Sequence, residues 1–385
     1  LSHPVWDELL GQPEAIEQLQ RAIGTKQTGL QHAWLFTGPA GSGRSNLARS
    51  FAAAIECEQD GCGSCQQCRL AMADAHPDIT ILKTDRVVIN IDEVRNVVSR
   101  ASLATSIGKY RIIIIEDADR MAERTSNVLL KVLEEPEANT IWILCAPSVS
   151  DLLPTIRSRT RNLNLRLPSV AEVTALIMQR DGVEEPLARR AALQAQNHVG
   201  MARRLASSSE ARARRQETLR VTLSIGNLSQ AMLAAEKLLG VAKRDAEAVA
   251  QERDDKERLA LMRAYGLEES EKVPPNLRGQ FKELEENQKR RQTRALRDGI
   301  DRIFTDLESL YRDIMAIQLG GEQELVNQEV QQEIIDIAQG TKAKDTIEIL
   351  DAITKSRVSL ASNVRDLLVL ESLCVQMIFR GKIAN

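Results

Sequence analysis

A glycine-rich turn set between an apolar strand and a helix leaves a chain few folds to choose from. Here a short apolar run from Ala33 to Thr37 leads into Gly38, Gly41, Gly43, Arg44 and Ser45, and the residues from Asn46 to Ile55 carry helical spacing. In such a strand–loop–helix the glycines let successive backbone N–H groups converge on a polyphosphate at the helix N-terminus, and the hydroxyl at Ser45 is placed to ligate magnesium. One fixed position departs from the phosphate-loop pattern, because Arg44 stands where a lysine is required. An ammonium is a compact point charge, whereas a longer planar guanidinium cannot occupy the same point in the same loop. The sequence predicts a loop of nucleotide-binding descent in which phosphate binding survives more readily than catalysis; the bland alternative is a chance glycine turn.

Further strands are predicted at Ile79 to Leu82, Arg111 to Ile115 and Thr140 to Cys145, and helices at Asp92 to Leu103 and Thr125 to Glu134, the last stopped by Pro136. Strands alternating with helices, one of them β-branched throughout, predict a parallel sheet buried on both faces. The strand before Glu116, Asp117 and Asp119 resembles the second phosphate-site element, in which carboxylates hold magnesium and orient the attacking water. The usual order is Asp then Glu. With Glu116 preceding Asp117, the metal-holding side chain is one methylene longer and the water-orienting one correspondingly shorter. A polar strand end with no chemistry is the alternative.

Four of the six cysteines, Cys57, Cys62, Cys65 and Cys68, fall in one short Gly-rich stretch, while Cys145 and Cys374 stand alone. That spacing supplies four soft thiolates on a tight knuckle and predicts a closed, structural zinc site. His76 lies nearby, but with four sulfurs available it is expected to be a loop hydrogen-bonder.

Composition bounds the rest. With 385 residues, two or three domains are expected. Lys and Arg number 51 against 54 Asp and Glu, so a net charge of -3 does not advertise nucleic-acid binding; any DNA contact is expected to be weak, salt-sensitive and made through Arg and Lys to phosphates. Aromatic residues at 3% disfavour a β-sandwich. No apolar run approaches the roughly 18 to 20 residues of a membrane span, and Leu1 to Trp6 lacks the halves of a signal peptide, so a soluble cytoplasmic protein is expected. Beyond Leu167 the β-branched runs vanish. A small helical domain is expected over 168–208 and an all-helical one over 209–385, including a helix from Asp298 to Leu319. A densely charged block over about 243–297 is expected to be a solvated helical hairpin or a partly disordered insertion.

Taken together, the glycine loop, the four-cysteine insertion, His76-Pro77-Asp78, the stretch from Asn127 to Pro136 with its Leu-Leu-Lys-Val-Leu-Glu-Glu-Pro string, and Ser158-Arg159-Thr160 resemble the bacterial DNA polymerase III clamp-loader subunits of the AAA+ family, most of all delta-prime. The resemblance is strong to about residue 208 and only architectural beyond. It implies an α/β AAA+ module over 1–167 with a zinc knuckle at 57–68, a helical lid over 168–208, and an α-helical collar over 209–385 that joins subunits in a hetero-pentameric ring. It further implies gamma/tau motor and delta subunits as partners, with the sliding clamp and primed DNA met through the complex, and places this chain in the polymerase holoenzyme without its own efficient ATPase. The segment from Trp6 to Gln12 matches the family's adenine-side stretch, and Cys145-Ala146-Pro147 lies where the family's sensor strand carries a threonine. On ATP with Mg2+ the residues pull both ways: Gly38, Gly41, Gly43 and Ser45 favour it, and Arg44 with the Glu116–Asp117 order opposes it. Arg159 is implied to be an arginine finger offered to a neighbouring motor subunit; a solvated strand face carrying Arg157, Arg159, Arg161 and Arg166 is the alternative. An ATP-hydrolysing gamma/tau-like motor, and a standalone zinc-dependent regulatory or nucleic-acid module, are the rival functions.

Overall fold

The computed structural model describes residues 4–7, 9–24, 30–84, 88–264, 274, 278–321, 323–362 and 364–378. They form two compact units, Leu1–Arg203 and Arg204–Asn385.

In the first unit the strands β1 (Ala33–Thr37), β2 (Ile79–Leu82), β3 (Arg111–Ile115), β4 (Thr140–Ala146) and β5 (Arg161–Asn164) make one parallel sheet in the order β2-β3-β4-β1-β5. Every residue of β1, β3 and β4 is buried, as a parallel sheet covered on both faces requires. Alternate side chains go to opposite faces. Trp34, Phe36, Ile112, Ile114, Ile141 and Ile143 pack against helices α1 (Pro13–Gly24), α2 (Arg44–Glu56) and α3 (Gln66–Met72). Leu35, Ile113, Ile115, Trp142 and Leu144 pack against α4 (Ile91–Ala101), α5 (Glu123–Glu134) and α6 (Pro154–Arg157). Fully burying each such side chain contributes about 1.5–3 kcal/mol. The unit continues in α7 (Val170–Asp181), α8 (Glu185–Gln194) and the start of α9 (Val199–Ser207).

Among the elements that the sequence reading did not place are α1, α3, α6 and β5, the last with Leu163 as its only buried residue because it is an edge strand paired on one side to β1.

The second unit is helical: α10 (Ser209–Leu223), α11 (Leu228–Ala264), α12 (Arg278–Gln318), α13 (Gln331–Gly340), α14 (Ala343–Ala361) and α15 (Asp366–Ile378). Its core gathers Leu238, Ile300, Phe304, Leu307, Ile353, Leu370 and Leu373, all sealed from solvent or nearly so. The helix expected from Asp298 begins twenty residues earlier, at Arg278. Its first half is charged and shows no long apolar stripe, yet Phe281 is buried there under the guanidinium of Arg258, 5.8 Å from the ring centre. The charged block is thus helical over 243–264 and 278–297, while 265–273 and 275–277 lie outside the described residues. Among the described residues no helix is long and apolar enough to cross a membrane.

Candidate nucleotide-type loop and metal centre

The parallel register brings the ends of β1, β3 and β4 to one edge of the sheet, where ligands of open α/β folds are bound. Gly38 donates its N–H to the Pro147 carbonyl at 3.1 Å, so the loop begins beside the end of β4. Gly41 and Gly43 have φ of +85° and +88°, and Gly43 is the residue that starts α2. An added Cβ at Gly41 would come within 2.8 Å of the His198 Cα, so glycine is required both by the backbone and by the close approach of His198.

The loop is bonded chiefly to its own chain. Arg44 turns back and donates from Nη1 to the Gly38 carbonyl at 2.8 Å. Gln12 donates to the carbonyls of Ser42 at 3.1 Å and Arg166 at 2.6 Å, tying the N-terminal segment to the loop. Ser45 is half-buried on the first turn of α2. Ser42 Oγ is buried without a hydrogen-bond partner, as is Asp119 Oδ1. Burial, then the nearby charge of Asp117, raises Asp119 above its ordinary pKa.

At the end of β3 the Glu116 carboxylate is met by Arg49 Nη2 at 2.8 Å and by Lys83 at 3.8 Å. Arg49 also reaches Asp74 at 2.7 Å; burial opposes its charge, but the two carboxylates outweigh burial and raise its pKa. Asp117 takes a left-handed backbone, φ +52°, and faces Arg120 at 3.6 Å. Cys145, not a hydroxyl residue, is buried near the end of β4, its thiol pushed up to about 12 by burial. The loop amides and Ser45 are the groups that would hold a phosphate and its magnesium, whereas Arg44, Glu116 and Asp117 already have partners within the chain.

Arg159 lies just beyond α6. It donates to the Thr155 carbonyl at 2.8 Å and to Ser158 Oγ at 3.1 Å, and it pairs with Glu134, the last residue of α5, at 2.5 Å. Arg166 instead holds Glu172 in a two-pronged pair at 2.9 and 3.1 Å. That pair, with the Ser169 N–H, pulls the Glu172 carboxyl down to about 2.

The four cysteines meet. The Sγ atoms of Cys57, Cys62, Cys65 and Cys68 all lie within 4.8 Å of one another. A tetrahedron with zinc–sulfur bonds of about 2.3 Å has sulfurs about 3.8 Å apart. Cys57 stands 3.7 Å from Cys62 and 3.8 Å from Cys65, so both donor chemistry and spacing fit zinc. Backbone N–H groups of Gln59 and Cys62 point at Cys57, of Cys65 at Cys62, and of Cys68 at Cys65, between 3.3 and 3.5 Å. Such donors stabilise thiolates. The Ser64 hydroxyl and neighbouring N–H groups draw Cys62 down to about 6, whereas burial raises Cys68. His76 accepts from the Asp78 N–H at 3.1 Å and meets Gln67 Oε1 at 2.6 Å; it is a loop hydrogen-bonder, as expected.

Arg49 and His198 were not singled out in the sequence, and Gln12 only as the end of the Trp6 to Gln12 segment, without a role at the loop. For Arg49 a signal exists: a charge inside the apolar run of α2 has to find an anion. For Gln12 and His198 there is none, since their partners are carbonyl groups and a glycine brought near only by the fold.

Over residues 11–169 the chain matches the family model described as DNA polymerase III, delta subunit. The delta' subunit of DNA polymerase III from Pseudomonas aeruginosa is 36% identical over 146 residues, covering 36% of this chain and 44% of that protein. The gamma/tau subunit of Mycobacterium tuberculosis is 32% identical over 184 residues, 46% of this chain and 32% of that protein. The Escherichia coli delta' subunit is 30% identical over 149 residues, 37% of this chain and 45% of that protein. The chain thus spans less than half the length of these relatives. Among solved structures, a gamma subunit-related protein of Thermotoga maritima aligns over 96% of this chain and all of its own length, at 17% identity and a TM-score of 0.42.

Proposed function

We propose, from the match of residues 11–169 to the family model described as DNA polymerase III, delta subunit, and their likeness to delta' subunits, that the chain is a stator of the clamp loader. In this reading it sits in a ring with gamma/tau motor and delta subunits, helps to load the sliding clamp on primed DNA, and offers Arg159 to a neighbouring subunit's ATP. The domain roles follow: a nucleotide-type module to about residue 167, a lid over 168–208 and a collar beyond.

One observation carries the stator reading. The charges that a working site would direct at phosphate and magnesium are spent inside the chain, Arg44 on the Gly38 carbonyl and Glu116 on Arg49. Phosphoryl transfer depends on placing a cation against the phosphates and a carboxylate against metal and water, so misplacing both removes most of the rate. Bound nucleotide would supply phosphates to the amides at the start of α2, and Ser45 stands on the first turn of α2 to meet its magnesium. Arg159 suits action in trans because its pair with Glu134 is half-exposed and such pairs contribute little, about 0–1 kcal/mol. A guanidinium lent to another site is worth about 10³ to 10⁵ in rate. The gamma/tau matches keep the motor as a second reading.

The test is ATP turnover by the purified chain, alone and in a loader reconstituted with gamma/tau and delta subunits. We expect negligible turnover alone. In the loader, Arg159→Ala should remove the adjacent site's share of hydrolysis without loss of assembly, and Arg166→Ala should not. Steady turnover by the isolated chain would favour the motor; full loader activity with Arg159→Ala would remove the trans role.

A further inference from the structure

The four-cysteine knuckle touches two segments far from it in sequence, and both contacts are specific. On one side, Gly61 accepts the Val5 N–H at 3.1 Å and Asp60 accepts the Trp6 indole N–H at 3.2 Å. Val5 in turn accepts from Ser50 Oγ of α2 at 2.8 Å. The fit is close: a Cβ on Gly61 would come within 2.6 Å of a Val5 methyl, and both Asp60 and Gly61 hold positive φ.

On the other side lies the turn over 106–110. Its five consecutive N–H groups are taken by two buried carboxylates. Asp78 accepts from Ser106 at 2.7 Å, Ile107 at 2.8 Å and Gly108 at 2.7 Å, and Glu56 accepts from Lys109 at 2.6 Å and Tyr110 at 3.0 Å. Glu56 is the chain neighbour of Cys57. Asp78 is held through His76 to Gln67, a residue of α3 between Cys65 and Cys68, and Gln67 Nε2 also donates to the Ile107 carbonyl at 3.1 Å. Gly108 is needed there, since a Cβ would lie 2.7 Å from Glu56 Oε2. Arg111 closes the arrangement, pairing with Asp78 at 3.2 Å and donating to the carbonyls of Leu103 and Ala104. The turn so held displays Ile107, 49% exposed, and Leu103, ahead of the turn, is 60% exposed.

We propose that the zinc knuckle is a metal-dependent clip that sets two distant segments at once, the N-terminal stretch around Val5 and Trp6 and the turn over 106–110, with Gln67 as the positioning residue on the second path. The physical reason is cooperativity. Asp60, Gly61 and Gln67 lie on a short stretch with little core of its own, and four thiolates on one ion fix their backbone where hydrogen bonds alone would not. Without the ion the knuckle loosens, the donors and acceptors at Gly61, Asp60 and Gln67 lose their places, and the two segments open locally while the sheet stays folded. The inference stands whether or not the chain is a clamp-loader stator, since it needs neither nucleotide nor partner.

Zinc is removed from the purified full chain with the chelator TPEN under reducing conditions, and amide hydrogen exchange is compared with that of the zinc-loaded protein. Exchange at Val5 and over 106–110 should quicken at least about tenfold, the scale of losing one or two net hydrogen bonds, with β3 and β4 still protected. With 5-fluorotryptophan, the Trp6 resonance should move while those of Trp34 and Trp142, fully buried in the sheet, do not. Change confined to 57–68, or uniform loss across β3 and β4, overturns the clip. Gln67→Ala in zinc-loaded protein should keep one zinc per chain and the Trp6 signal, yet quicken exchange over 106–108; unaltered exchange there overturns the path through Gln67.

Discussion

A guanidinium inside an apolar helix face has to be answered by an anion, and Arg49 is answered twice, by Glu116 and Asp74. That pairing is what makes the acidic end of β3 look different in three dimensions from its sequence: a carboxylate read as a metal holder is one half of an ion pair. Gly41 shows the opposite case, a residue whose identity is set by a neighbour more than 150 positions away in His198. We expect Gly41→Ala to destabilise the first unit by about 1–3 kcal/mol, because the left-handed backbone and the blocked approach to the His198 Cα act together. Denaturant unfolding followed by the buried tryptophans measures it. Gly43→Ala has a similar backbone but no atom in its way, and should cost less.

At the scale of elements, helix length in α11 and α12 is decided by pairing between them. Gln288 donates to the Asp254 carbonyl at 3.2 Å and Arg291 faces the Asp254 carboxylate at 3.4 Å. Among the described residues, Phe281 and Met262 are buried there, outside the main core. Phe281→Ala should therefore fray the charged ends of both helices, with exchange quickened over 278–290 and 254–264 and little change at Ile300, Phe304 or Leu307. An equal loss at those core positions would show that the two regions unfold as one. The sequence showed the helix after Asp298, where apolar residues recur at helical spacing, and left its first twenty residues undecided because they carry no such stripe and, among the described residues, lean on Phe281 and on cross-helix polar pairs. β5 was not delimited for a related reason: Arg161, Asn162 and Asn164 offer no apolar pattern, and pairing to β1 makes them a strand.

At the scale of the whole molecule, the described core residues of the second unit all fall between Leu219 and Ile378. Residues 204–385 expressed alone should consequently fold cooperatively with a helical circular-dichroism spectrum. Its acid limb should reflect Asp245, which is met by Arg204 at 2.5 Å, Arg302 at 2.6 Å and Arg214 at 3.0 Å. Burial opposes its charge, but the three guanidinium groups outweigh burial and hold its pKa below the ordinary 3.8. A carboxyl lowered on folding contributes stability in full above 3.8 and loses it as pH falls through the folded value. Asp245→Asn should accordingly lower stability at neutral pH and flatten the loss below pH 3.8; an unchanged acid limb would show that other carboxylates set it.

The sequence by itself determined what rests on local chemistry: a glycine loop between strand and helix, β-branched runs that must be buried on both faces, and four thiolates close enough along the chain to share an ion. It also carried the family resemblance, which lies in those same short strings. Tertiary structure alone decided what depends on groups far apart in the chain. Arg49 meeting Glu116, His198 meeting Gly41, and Asp78 with Glu56 gathering the amides over 106–110 are pairings that no periodicity encodes, because charge and hydrogen-bond partners are selected by distance in space after the hydrophobic core has fixed where each strand ends.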